Sequence, residues 1–257
     1  MILLYVTCSG ANEHTDFSSL ARLMSTYQFG EISVRVSEKE SPADGIRLQW
    51  IQDLVNYCKR GEIFINAALH IKRQWAEDMC RGEVVPELKK LLDLRDIYNV
   101  PFFKRVRLDC ESIRHGTDEN IIGNLSALQA KIRRRFVFCC NERNEQFLQQ
   151  MLAKGVVFDC FYHAEHSTGR LPEKWHTPVF ENVLHGYAGG INPINVYDAL
   201  GSISLVVDRA KYQGCICIEA GKGLRGYDGN LSLDKCHRYL QKAKLWYEFY
   251  KWQGLSY

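Results

Sequence analysis

Apolar residues recur along this chain in short β-rich runs, each followed by a longer stretch with helical spacing. The runs are Ile2–Cys8, Gly30–Ser37, Glu62–Leu69, Phe102–Asp109, Arg135–Cys140, Val156–Cys160, Leu184–Ala188 and Cys215–Glu219. Their length and bounding turn formers mark them as strands. Amphipathic segments lie between them, at Phe17–Tyr27, Gly45–Lys59, Glu87–Tyr98, Glu119–Arg133, Asn144–Lys154, Pro193–Leu200 and Ser232–Trp252. Strand–helix alternation implies parallel strands with crossover helices. Apolar runs of this kind suit strands covered outside by helices and packed inside by side chains. Eight such units in 257 residues predict an α/β fold, a closed (β/α)8 barrel forming a single domain over 1–257. Neither the Walker-type phosphate loop nor the G-x-G-x-x-G fingerprint of open nucleotide-binding sheets is expected in this chain. Surplus length falls around Ile71–Pro86 and His163–Phe180.

Composition narrows the class. Hydrophobic residues make up 46% of the chain, and 33 Lys+Arg against 30 Asp+Glu leave a net charge of +3. Such a chain is globular, not disordered. It carries no global field for a polyanion, so no nucleic-acid partner is expected. The basic run Lys131–Arg135 reads as the C-terminal end of a helix, where cations complement the dipole. No apolar run is long enough for a membrane span. Ile2–Cys8 lacks the basic leader and length of an export signal. The ten cysteines include no CxxC pair, and several sit inside apolar runs such as Phe138-Cys139-Cys140. They read as reduced thiols in a cytoplasmic protein rather than zinc ligands or disulfides. Neither a metal nor a cofactor is expected; His163, His166 and His176 with Glu165 form too loose a pattern. The aromatic run Trp246–Trp252 should pack the last helix on the barrel, with rings left over for a homodimer.

A barrel of this type works at the C-terminal ends of its strands. The residues to inspect there are Cys8, Arg35, Asn66, Arg107, Asp109, Asp159 and the loops after the last two runs. Those loops carry the strongest signal. Gly189 and Gly190 close the seventh run, followed by Asn192 as a helix N-cap and Pro193 as its first residue. Ala220, Gly221, Lys222 and Gly223 follow the eighth. Glycines let backbone N–H groups approach a ligand, and paired loops at these two positions are the usual barrel phosphate site. The expected partner is a small phosphorylated metabolite.

These residues resemble phosphoribosylanthranilate isomerase, a cofactor-independent barrel enzyme of tryptophan synthesis. Tyr187-Ala188-Gly189-Gly190-Ile191-Asn192-Pro193-Ile194-Asn195-Val196 is similar to that family's seventh-strand motif, L-S-G-G-L-x-P-x-N-V. Looser matches are Val6-Thr7-Cys8-Ser9 in the first strand and Phe64-Ile65-Asn66 in the third. Val157-Phe158-Asp159, with Ser167-Thr168-Gly169 and Trp175, matches the sixth, and Ile216–Gly223 the eighth. The resemblance implies an Amadori rearrangement of a phosphoribosyl-amine, with Asp159 as general acid and Cys8 as general base. It implies substrate contacts from Arg35, Asn66, Arg107 and Asp109. The family's first-strand lysine falls on Val6, its eighth-strand aspartate on Cys217 and its serine pair on Glu219-Ala220. The phosphate end is therefore kept and the aromatic-acid end is not. Two alternatives stay open: a phosphosugar aldolase or isomerase of different specificity, with Lys104 the only strand lysine, or a barrel that binds a phosphorylated ligand without turnover.

Overall fold

The computed structural model describes residues 4–39, 46–115, 120–163 and 170–254. Eight parallel strands, each hydrogen-bonded to the next in sequence, close on themselves when the last pairs with the first. They are β1 (Leu4–Ala11), β2 (Gly30–Val36), β3 (Asn66–Lys72), β4 (Phe103–Asp109), β5 (Arg135–Cys139), β6 (Phe158–His163), β7 (His185–Ala188) and β8 (Ile216–Ala220). The helices are α1 (Phe17–Thr26), α2 (Ile46–Arg60), α3 (Arg73–Cys80), α4 (Pro86–Leu92), α5 (Glu111–His115), α6 (Asn120–Ile132), α7 (Glu145–Ala153), α8 (Val196–Arg209) and α9 (Leu233–Gly254). The (β/α)8 barrel read from the apolar runs is the fold. Part of the surplus at Ile71–Pro86 is the extra helix α3. Among the described residues, none of the helices is long and apolar enough to cross a membrane.

Strand alternation sets what the barrel holds. In β2 the residues Ile32, Val34 and Val36 are buried in the main apolar core. Glu31, Ser33 and Arg35 alternate with them and point into the lumen. β1 does the same, with Val6 and Cys8 in that core and Thr7 and Ser9 inward. The outer apolar faces receive the helices. In α9, for example, Cys236, Tyr239, Leu240, Ala243 and Trp246 are buried, while Leu245 and Phe249 remain exposed.

The lumen departs from the apolar filling expected of it. Among the described residues only Val137, Phe161, Ala188 and Cys217 form an apolar cluster there, with Tyr5 and Leu184 against it. Ion pairs occupy the two ends. Toward the strand N-termini, Arg105 donates to Glu31 at 2.5 and 2.9 Å and to Asp159 at 3.2 Å, and Arg135 pairs with the other Asp159 oxygen. Toward the C-termini, Arg107 donates to Glu219 at 2.7 Å, crossing over the Phe161 ring at 4.7 Å.

The basic run does not form one surface. Arg134 caps the carbonyls of Ile132 and Leu92, and Arg135 turns inward to Asp159.

Candidate functional site

At the C-terminal face, the loops after β7 and β8 enclose a pocket of about 160 Å³. Gly189, Gly190, Ala220, Gly221, Lys222 and Gly223 all line it, and so does Arg35 from β2. The fold thus brings together every residue the sequence assigned to a phosphate, plus one assigned to substrate. Glu219 and His163, the last residue of β6, complete the wall.

Two glycines are dictated by close approach. Gly190 sits at φ +66°, and a Cβ there would lie 2.0 Å from the Arg170 carbonyl oxygen. A Cβ on Gly223 would lie 2.5 Å from the Ile191 carbonyl oxygen. The β8 loop is therefore pressed onto the β7 loop at Gly223, and the β7 loop onto the Arg170–Leu171 backbone at Gly190, so a side chain at either glycine must displace the β7 loop or its neighbour.

Asn192 and Asn195 brace the first loop. The Asn195 side chain donates to the Gly190 carbonyl at 2.9 Å and accepts from the Asn192 amide at 2.8 Å. Asn192 in turn accepts from the Ile194 amide at 2.8 Å. This corrects one expectation: Asn192 and Pro193 form a turn ahead of α8, which starts only at Val196. A second expectation is corrected as well: Gly221-Lys222-Gly223-Leu224-Arg225-Gly226 does have the G-x-G-x-x-G spacing. It opens a three-residue 3-10 turn at Lys222–Leu224, not the long helix of a dinucleotide fold, so the spacing carries no such meaning here.

Two cationic side chains, Arg35 and Lys222, and one carboxylate, Glu219, stand in the pocket wall. Arg35 is half-buried and its Nε has no hydrogen-bond partner among the described residues. Burial pushes the Glu219 carboxyl up, but Arg107 first, then His70, Arg35 and the Ser9 hydroxyl outweigh it and hold it below its ordinary value. Glu219 is therefore an ionised carboxylate at neutral pH. Behind Arg107, His70 of β3 lies 3.6 Å from Asp109, which also meets Lys72 and Arg114. Burial and the Arg107 charge bring His70 down to about 4, so its imidazole is neutral at pH 7. Asp109 is held well below the carboxylate range: His70, Arg107 and Lys72 together outweigh the opposing effect of burial.

A pH dependence of stability follows. His70 and His185 are each brought to about 4, chiefly by burial, from an ordinary value of 6.5. Between those pH values the unfolded chain binds protons that the folded chain refuses. Their contribution is present above about pH 6.5 and is lost as pH falls toward 4, by up to roughly 3 kcal/mol for each residue. Urea unfolding at stepped pH should show this loss, and His185→Gln should remove its share, about half; a flat profile in the parent protein would contradict the assignment.

Three predicted site residues are elsewhere. Cys8 faces outward and is sealed between β1 and α9. A hydrogen bond with Cys236, then burial, pushes its thiol far up, the reverse of what a base needs. Asp159 is the second residue of β6 and lies at the opposite, N-terminal end, fully buried. Asn66 opens β3 and is spent on the Gln28 and Gly30 carbonyls at 2.9 and 3.1 Å. The cause is strand register. The apolar residues Ile63–Ile65 and Val156–Val157 precede the strands they were assigned to, so the true C-terminal ends of β3 and β6 are Lys72 and His163. Arg107 and Asp109 do stand at the C-terminal face. His70 is the functional candidate the sequence assignment missed; Glu219, at the end of the eighth run, and His163, in the loose histidine pattern, were in view without a role in proton chemistry, and strict inward alternation in β3, β6 and β8 would have singled out all three. Ser167–Gly169 and His166, Glu165 of the loose histidine pattern lie outside the described residues.

No protein-family model matches the chain, and no curated protein sequence matches it. Solved structures do. TrpF from Jonesia denitrificans superposes with a TM-score of 0.55 at 13% identity, covering 94% of this chain and 97% of its own. N-(5'-phosphoribosyl)anthranilate isomerase from Pyrococcus furiosus gives 0.51 at 10% identity, covering 94% and 98%. At such identities the likeness is one of fold: an eight-stranded TIM barrel covered almost end to end.

Proposed function

We propose that this chain is an enzyme that binds a small phosphorylated metabolite in the β7–β8 pocket and moves protons on the part of it that projects toward the lumen. The observation that carries this reading is the convergence of Gly189, Gly190, Ala220, Gly221, Lys222, Gly223 and Arg35 on one pocket. Backbone amides beside glycines, a lysine and a guanidinium with an unused Nε suit a phosphoryl group.

Glu219 and His163 supply the proton chemistry in this reading. Both line the same pocket, and Glu219 is ionised and fixed by Arg107. A carboxylate base and an imidazole that returns the proton on the other side suit an aldose–ketose type rearrangement. His70 and Asp109 position Arg107 from behind. An Amadori rearrangement of a phosphoribosyl-amine, the reaction of the isomerases the sequence resembles, is the specific form we propose. It uses Glu219 and His163 in place of Cys8 and Asp159.

Rescue of a tryptophan auxotroph lacking that isomerase tests the specific form. The wild-type chain should restore growth and Glu219→Gln should not, since losing a general base costs roughly 10²–10⁴ in rate. Failure of the wild-type chain rejects the phosphoribosyl-anthranilate substrate, and full rescue by Glu219→Gln rejects Glu219 as the base.

A further inference from the structure

The largest cavity among those described lies at the other end of the barrel. It measures about 550 Å³ and opens between the starts of the strands and the segments leading into β7 and β8. That volume is in the range of small-molecule sites, about 300–1,000 Å³. Its floor is the Glu31–Arg105–Asp159–Arg135 ion-pair cluster, and Tyr5, Leu184 and Tyr212 contribute its apolar walls. The Tyr212 hydroxyl donates to the carbonyls of Val183 and Cys215 and so ties the two wall segments together. The cavity is thus a braced structure.

The floor is charge-balanced, with two guanidinium groups against two carboxylates. Both Asp159 oxygens are used, one by each arginine. Arg135 spends only Nε on that bond, and its side chain is 40% exposed on the cavity side of the pair. Its two terminal amino groups have no partner among the described residues. Lys104 lines the same cavity, 37% exposed, with its ammonium 3.9 Å from Asp96 and 3.9 Å over the Phe64 ring. A guanidinium that lines a cavity and has only its Nε engaged offers a fork of N–H donors that matches a carboxylate. Exposed Glu181 on the rim, with the balanced floor, disfavours a dianion such as phosphate.

We propose that the N-terminal face carries a second small-molecule site, for an organic monocarboxylate with a flat apolar body, held by Arg135 and Lys104 and packed on Tyr5, Leu184 and Tyr212. This site is independent of the β7–β8 pocket.

Fluorobenzoate is a suitable probe, followed by fluorine NMR on the full chain. Binding in roughly the millimolar range is expected, unaffected by excess inorganic phosphate and by Lys222→Ala. Asn182→Trp, at an exposed rim position, should block the mouth and weaken binding at least tenfold without loss of fold by circular dichroism. Arg135→Lys, which keeps the charge and removes the fork, should weaken it as well. Absence of binding, displacement by phosphate, or unchanged affinity in Asn182→Trp would each overturn the proposal.

Discussion

Asp159→Ala is expected to lose about 3–5 kcal/mol of folding stability, the cost of breaking a buried ion pair from one side. Asp159 is fully buried and accepts from Arg105 and Arg135. Removing it leaves Arg105 deep in the lumen with Glu31 alone and frees Arg135 from its only anionic partner among those described. The reverse deletion, Arg105→Met, should cost at least as much, because buried Glu31 would lose the guanidinium it pairs with and Asp159 one of its two. Urea unfolding measures both. A change below about 1 kcal/mol for Asp159→Ala would mean that the cluster is solvated and the residue is available for other work.

The second large effect concerns the loop pair. Gly190→Ala should reduce the affinity for inorganic phosphate at least tenfold, which corresponds to about 1.4 kcal/mol. The added Cβ would meet the Arg170 carbonyl at 2.0 Å in a backbone conformation that disfavours side chains. The loop must shift, and the amides that line the pocket shift with it. Gly223→Ala should act alike through Ile191 and Asn192, whereas Gly155→Ala, with open space around its Cβ position, leaves phosphate binding alone even though its φ is strained. Isothermal titration with phosphate compares the three. Wild-type affinity in Gly190→Ala and Gly223→Ala would show that these loops do not hold the anion.

How far the sequence could be read depended on which signal was used. Apolar runs counted the strands correctly and in order, because a strand's outer face must be apolar to receive its helix. Tight glycine loops located the β7–β8 pocket, because close backbone approach leaves few residue types available. Position along a strand was harder. Ile63–Ile65 are apolar but lead into β3, and Val156–Val157 lead into β6, so the catalytic-end residue was placed several positions too early in both. That shift put Asn66 and Asp159 at the wrong end of the barrel. Cys8 failed for a different reason: a one-residue difference in facing separates it from Ser9, and a small apolar thiol suits the outer core better than a polar lumen. The polar lumen itself was written in the alternation Glu31-Ile32-Ser33-Val34-Arg35, where hydrophobicity averaged over a run hides the period of two. Partners such as Arg107 and Glu219 come from strands 112 residues apart, and local pattern cannot pair them.

The phosphoryl group proposed for the β7–β8 pocket is tested most directly by the position of a phosphate ion in crystals grown from or soaked in phosphate. The ion should lie between the two loops, within hydrogen-bond distance of the amides near Gly190 and Gly221 and in reach of Lys222 and Arg35. A pocket left empty at saturating phosphate, or an ion seated instead against Arg135 at the other end of the barrel, would contradict it.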